Sequence, residues 1–170
     1  PGSGCALLDL AAEATAGAGL SRVVKYVRLV HDRAELRLVV EPSHARIVGG
    51  VPALPGTQFD EFVLSLLLVR SRQATGEQWK PDRMAFQHRR TNDDGELSRL
   101  FGCPLAFGAP EIEMRLAASV LELPHLHADS TLLAVVSRLA DAALESVPTR
   151  GDLVARASSA IARQMSKELP

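Results

Sequence analysis

Histidine and cysteine are the side chains whose chemistry depends most on a specific neighbour, and here they are sparse, five and two in the chain. His125 and His127 are one residue apart. In a loop, two such imidazoles could grip a metal ion given one further Cys, Asp or Glu ligand. The sequence places no third ligand, a solvated loop ahead of a helix explains the pair as well, and no metal is assigned. Cys103 with His88 would form a nucleophile and base only if something held them together, because a thiolate needs an adjacent base or positive charge. No oxyanion-hole loop or orienting third group is recognisable. A small cysteine is ordinary core material, so neither a catalytic residue nor a cofactor is assigned.

Recognition of a small molecule is the better use for the polar groups. In the segment Arg83 to Arg89, alternation puts Met84, Phe86 and His88 on one face. A polar group aligned with an apolar set must find a partner when buried, either a ligand or a backbone carbonyl. Small-ligand sites are mostly apolar with a few polar groups. The candidate ligand-binding set is therefore Arg70, Met84, Phe86, His88 and Phe107, against the plainer reading of these apolar residues as core. The basic run His88-Arg89-Arg90 is followed at once by Asp93, Asp94 and Glu96, as in a solvated strand end rather than a phosphate site.

Composition narrows the class. The chain has 170 residues, 46% of them hydrophobic, enough for one main core. Lys and Arg total 19 against 20 Asp and Glu, a net charge of −1, which creates no field to gather nucleic acid or an anionic membrane. Aromatic residues make up only 4%, too few for a base-stacking surface. The longest apolar run, Phe62 to Val69, falls far short of the roughly 20 residues of a bilayer span. Cys5 and Cys103 have no paired spacing. A soluble cytoplasmic protein with reduced thiols is expected. Pro1-Gly2-Ser3 is set aside from fold reasoning.

The elements that must position these residues follow from periodicity. Residues 4 to 31 carry a helical pattern, with Gly17 and Gly19 expected to joint two helices. Leu36, Leu38 and Val40 alternate as a strand, and His44 to Val51 supplies its hairpin partner. Thr57 and Asp60 have capping-box spacing before a helix with Phe59, Phe62, Val63, Leu66 and Leu67 on one face, ending near Thr75-Gly76. The strand Arg83 to Arg89 follows, then a short helix from Asn92 that stops at Gly102. Pro104 to Phe107 and Ile112 to Leu116 are expected to form a second hairpin. Asp129 or Ser130 caps a helix carrying Leu132, Val135, Val136 and Leu139, and Thr149 opens a last helix to Lys167. The expected fold is α+β: a mixed or antiparallel sheet of about five strands, two hairpins plus a central strand, with helices packed on it and helical segments at both ends. Residues 4–147 form the domain and 148–170 a connecting helix.

Between Tyr26 and Leu144 the order and spacing of short motifs carry a resemblance. They are Lys25-Tyr26-Val27-Arg28-Leu29, Leu68-Val69-Arg70, Trp79-x-Pro81-x-x-Met84-x-Phe86-x-His88, and Phe101-Gly102-Cys103-Pro104-Leu105-x-Phe107-Gly108. Together they resemble the N-terminal sensor domain of AraC-type transcription regulators, in the branch labelled an arabinose-binding type. The tail Leu153 to Ile161 is similar to the helix leading into the helix-turn-helix of such regulators, and the chain stops before any recognition helix, as expected of a piece of a longer regulator. The resemblance implies no enzyme. It implies a domain that senses an unknown small-molecule effector and dimerises, touching DNA only through a helix-turn-helix absent from this chain. The alternative is a ligand-independent structural dimerisation module. The sequence has little of the apparatus for binding a sugar, and its hairpins separated by helices do not read as a cupin barrel.

Overall fold

The computed structural model of the chain describes residues 13–50, 57–89 and 95–147. The expected helix after Thr149 and the residues before Glu13, Cys5 among them, lie outside these. Helix α1 is Ala16–Tyr26, capped by the Thr15 side chain accepting from the Ala18 N–H and continued by a 3₁₀ turn Val27–Leu29. Strands β1 (Glu35–Val40) and β2 (His44–Gly50) form the expected antiparallel hairpin. Helix α2 is Thr57–Thr75, and β3 is Arg83–Phe86. Helix α3 is Gly95–Phe101, β4 Leu105–Phe107, β5 Ile112–Ala117 and α4 Ser130–Glu145.

The five strands form one mixed sheet in the order β1-β2-β5-β3-β4, the α+β architecture expected. One part of its wiring differs. β4 and β5 do not pair as a hairpin: β3 lies between them, parallel to β4 and antiparallel to β5. A parallel neighbour needs a crossover, which α3 supplies between β3 and β4. After β4 the chain stays on the β3 side, because the Gly108 N–H donates to the His88 carbonyl (2.8 Å) and the Ala109 N–H to that of Phe86 (2.9 Å).

One face of the sheet builds the core. Ile47 of β2 pairs in register with Met114 of β5, which pairs with Met84 of β3, and all three are buried. Leu64, Leu67 and Leu68 of α2 and Leu20 and Val23 of α1 complete the cluster. The sequence put the phase of α2 wrong. Val63 and Leu67 are buried as expected, but Leu66 is only half-buried and Phe62 is 53% exposed. Asp60, Leu64, Leu68 and Ser71 are inside instead, since α2 carries apolar residues almost all round and periodicity alone cannot choose a face. Gly17 and Gly19 do not joint two helices. Both lie within α1, where a Cβ on Gly17 would press on Leu121 at 3.0 Å, so a 3₁₀ turn, Ala118–Glu122, can approach closely.

Helix α4 is capped by Asp129, whose carboxylate accepts from the Thr131 and Leu132 N–H groups at 2.9 Å. Only Ala140 is buried along it. It joins α1 through two polar rungs one helical turn apart on each helix. Arg22 donates to Ser137 Oγ (2.7 Å); Tyr26 OH donates to Asp141 (2.7 Å), which also pairs with Lys25 (2.7 Å). Leu132, Val135 and Leu139 face outward, 46%, 48% and 59% exposed, so the apolar side of this helix does not cover the sheet.

The β1–β2 hairpin depends on glycine at position 49. Gly49 has φ +141°, and a Cβ there would collide with the Glu35 carbonyl oxygen on the paired strand. Gly49→Ala is expected to lower unfolding stability by about 2 kcal/mol or more through combined backbone and steric strain, read in urea titrations with an unchanged m-value.

Candidate functional site

Three ionisable groups come together beside the aromatic end of the core: Asp60 and Glu61, in the first turns of α2, and His88, just beyond β3. Phe86, His88 and Phe107 cluster at ring-centroid separations of 5.4 to 5.6 Å, with Phe101 6.0 Å from Phe86. His88 lies past the end of β3 yet keeps the direction of the strand's apolar face, its side chain 8% exposed. Its Nδ1 faces the Arg89 carbonyl at 2.9 Å. Its Nε2 lies 3.0 Å from Glu61 Oε1, an ion-pair distance without the alignment of a hydrogen bond.

Asp60 sits beside this pair, 6% exposed. Its carboxyl is pushed above the ordinary aspartate range, first by loss of water on burial and further by the Glu61 charge, with His88 opposing. A buried ionisable group with a displaced pKa next to a specific charge partner marks a candidate functional position. On its outer side Glu61 also lines a groove of about 600 Å³ between α2 and α3, with Phe62 and Ser65 from α2 and Leu97 and Leu100 from α3.

Of the five residues proposed from sequence, Phe86, His88 and Phe107 come together. Met84 is fully buried in the shared core. Arg70 is exposed, donates to Gln73 on its own helix at 3.4 Å, and lies nine residues beyond Glu61, about 13 Å along the axis. Asp60 and Glu61 were not singled out from sequence. In the sequence Asp60 has the spacing of half a capping box, and the periodicity of α2 does not mark the inner face on which it lies.

The remaining reactive side chains have other company. His125 is 7% exposed, with Nδ1 3.0 Å from the Glu13 carbonyl, while His127 is exposed. No group of three His, Cys, Asp or Glu suited to a metal exists among the described residues. The Cys103 thiol is pushed up by burial and then by Asp82, while Arg72 opposes. His88 meanwhile faces Glu61, so the imagined Cys–His pair does not form. Arg72, unremarked in the sequence, is a structural tie: its Nε donates to the Trp79 carbonyl (2.8 Å) and its Nη1 to that of Leu100 (3.2 Å), fastening the Trp79-Lys80-Pro81 loop and the end of α3 to α2.

The family model described as the arabinose-binding domain of AraC transcription regulators, N-terminal, matches residues 4–125. The chain belongs to this AraC-type family. Its members are transcription regulators. No curated protein sequence matches. Among solved structures, the fold of this AraC-type domain is similar to the transcriptional regulator CdpR from Pseudomonas aeruginosa, with a TM-score of 0.56 at 15% identity over 76% of the chain. The chain spans 43% of that regulator's length, and at this identity the likeness concerns the fold alone. No helix among the described residues is long and apolar enough to cross a membrane.

The raised Asp60 pKa has a sign that can be tested. The folded state holds the Asp60 proton more tightly than the unfolded state, so this group favours folding in acid and weakens it as pH rises above the ordinary aspartate value. Asp60→Asn is therefore expected to raise Tm at pH 7, with the gain shrinking to nothing below the usual aspartate range. Thermal melts from pH 3 to 8 measure this.

Proposed function

We propose that this AraC-type domain is a non-enzymatic regulatory module that responds to a small-molecule effector, forms a homodimer, and controls a DNA-binding domain outside this chain. Residues 4–147 act as the sensing and dimerising domain and 148–170 as the connection. The observation that carries effector sensing is the Asp60, Glu61 and His88 cluster against Phe86 and Phe107. It is a set of ionisable groups held at the edge of the core in a regulator family, and Asp60 is kept there against its own desolvation. A ligand acts by its differential affinity for two arrangements of the domain. Phe86, His88 and Phe107 are the candidate contacts, with Met84 behind them; Arg70 would need a ligand that spans α2.

Dimerisation rests on α4. Leu132, Val135 and Leu139 recur at intervals of three and then four, the seam spacing by which one helix packs against another. The opposite side of the helix is occupied by its rungs to α1. A second copy offers the same seam, as a two-fold interface requires.

The alternative, a ligand-independent dimerisation module, is favoured by the closed packing of Met84 and Phe86, both 0% exposed. A thermal-shift screen separates the two readings. An effector at 100 times its Kd should add about 2.7 kcal/mol of stability, and the gain should be absent in Glu61→Gln; no shift from any effector candidate would leave the dimerisation module. For the dimer, Leu139→Glu is expected to convert the chain to monomer by light scattering, whereas Val40→Glu, equally exposed on β1, should leave its mass unchanged.

A further inference from the structure

The sheet face opposite the core carries an alignment that strand chemistry ordinarily avoids. Arg46 of β2 pairs in register with Arg115 of β5, and Arg115 with Arg83 of β3. Three arginines thus stand in one row across three strands, on the side opposite the Ile47, Met114 and Met84 row. Cross-strand neighbours bring their Cβ atoms to about 4.5–5.5 Å, and like charges placed there destabilise the sheet.

Only one of the three is neutralised. Arg46 pairs with Glu41 (3.2 Å) and Glu113 (3.6 Å). The guanidinium groups of Arg83 and Arg115 make no ion pair or hydrogen bond in the described structure; Arg83 is exposed and Arg115 half-buried. Glu113, on the same face of β5, is turned to Arg46, and Asp82 makes no ion pair with either arginine. Two arginines without an ion-pair partner therefore start from directly opposed positions on paired strands, within reach of a common ligand.

We infer that Arg83 and Arg115 form a binding site for a dianionic phosphate group on the face of the sheet opposite the core. Guanidinium forks match phosphate oxygens bidentately. A carboxylate occupies one fork, whereas a tetrahedral dianion has enough oxygens and charge to engage both and relieve their repulsion. The site is independent of the His88 cluster, which lies at the apolar face, and does not require the effector reading.

The test uses the full chain labelled with ¹⁵N, following the arginine Nε–Hε resonances during titration with inorganic phosphate, with glycerol 2-phosphate, and with acetate at matched ionic strength. Saturable shifts of Arg83 and Arg115 are expected with one or both phosphates, and none that saturate with acetate. Saturation by inorganic phosphate alone identifies the free ion as the ligand, and tighter binding of glycerol 2-phosphate identifies a phosphomonoester. Arg83→Gln and Arg115→Gln should each weaken binding about tenfold, the scale of one lost charged hydrogen bond. Arg37→Gln, which removes an exposed arginine paired with Glu111, should not change it. Arg83 opens its strand at an exposed position, so its variant remains informative if Arg115→Gln fails to fold. Absence of saturation, identical behaviour with acetate, or equal affinity in Arg83→Gln would overturn the assignment.

Discussion

The register of β5 between β2 and β3 is the constraint on which the rest of this domain depends. Side chains alternate along a strand, so placing Met114 opposite both Ile47 and Met84 fixes every other position in the three strands at once. Ala45 meets Leu116 on the covered face, and α1 and α2 lie over it. The same alternation gathers Arg46, Arg115 and Arg83 on the other face. A slip of one residue would relieve the arginine row but carry Met114 and Leu116 into water. Fully burying side chains of that size is worth about 1.5–3 kcal/mol each, more than the 0.2–1 kcal/mol scale of a cross-strand pair. The apolar register therefore prevails, and the repulsion stays in the folded state as a local cost.

Short-range signals were the legible part of the sequence. The β1–β2 hairpin, the length of α2 with its end at Gly76, and the stop of α3 at Gly102 all rest on residues within a few positions of each other, and the structure has them. Sheet order was not legible in that way. Segments 104–107 and 112–116 read as a hairpin because only a short turn separates them, yet β4 takes β3 as its neighbour. Nothing local in Leu105–Phe107 records that preference. It arises from the Phe86–Phe107 ring contact and the backbone bonds from Gly108 and Ala109 back to the β3 end, contacts about twenty residues apart.

The site was half legible for a related reason. Phe86, His88 and Phe107 could be assembled from strand alternation and adjacent motifs. Asp60 and Glu61 belong to a helix whose inner face is set by what the sheet offers, and a helix apolar on several sides carries no internal mark of its orientation. A buried carboxyl also contradicts the usual surface preference of aspartate, so composition points away from it. Its presence beside His88 is recognised only once the packing of α2 on the sheet is known.

The attachment of α4 shows how separate the core is from its periphery. The helix buries only Ala140, and its links to α1 are polar: Arg22 to Ser137, with Tyr26 and Lys25 to Asp141. Hydrogen bonds and exposed ion pairs of this kind add little to stability, but they are directional, and two rungs one turn apart fix the rotation of α4 about its own axis. Rotation decides what the helix presents. With Ser137 and Asp141 turned to α1, Leu132, Val135 and Leu139 must point away from the domain, because positions 132, 135 and 139 lie on the other side of a 3.6-residue period. The polar contacts thus matter less for the stability of the fold than for aiming an apolar seam outward, and a domain that used α4 only to cover its sheet would have placed those three residues inward.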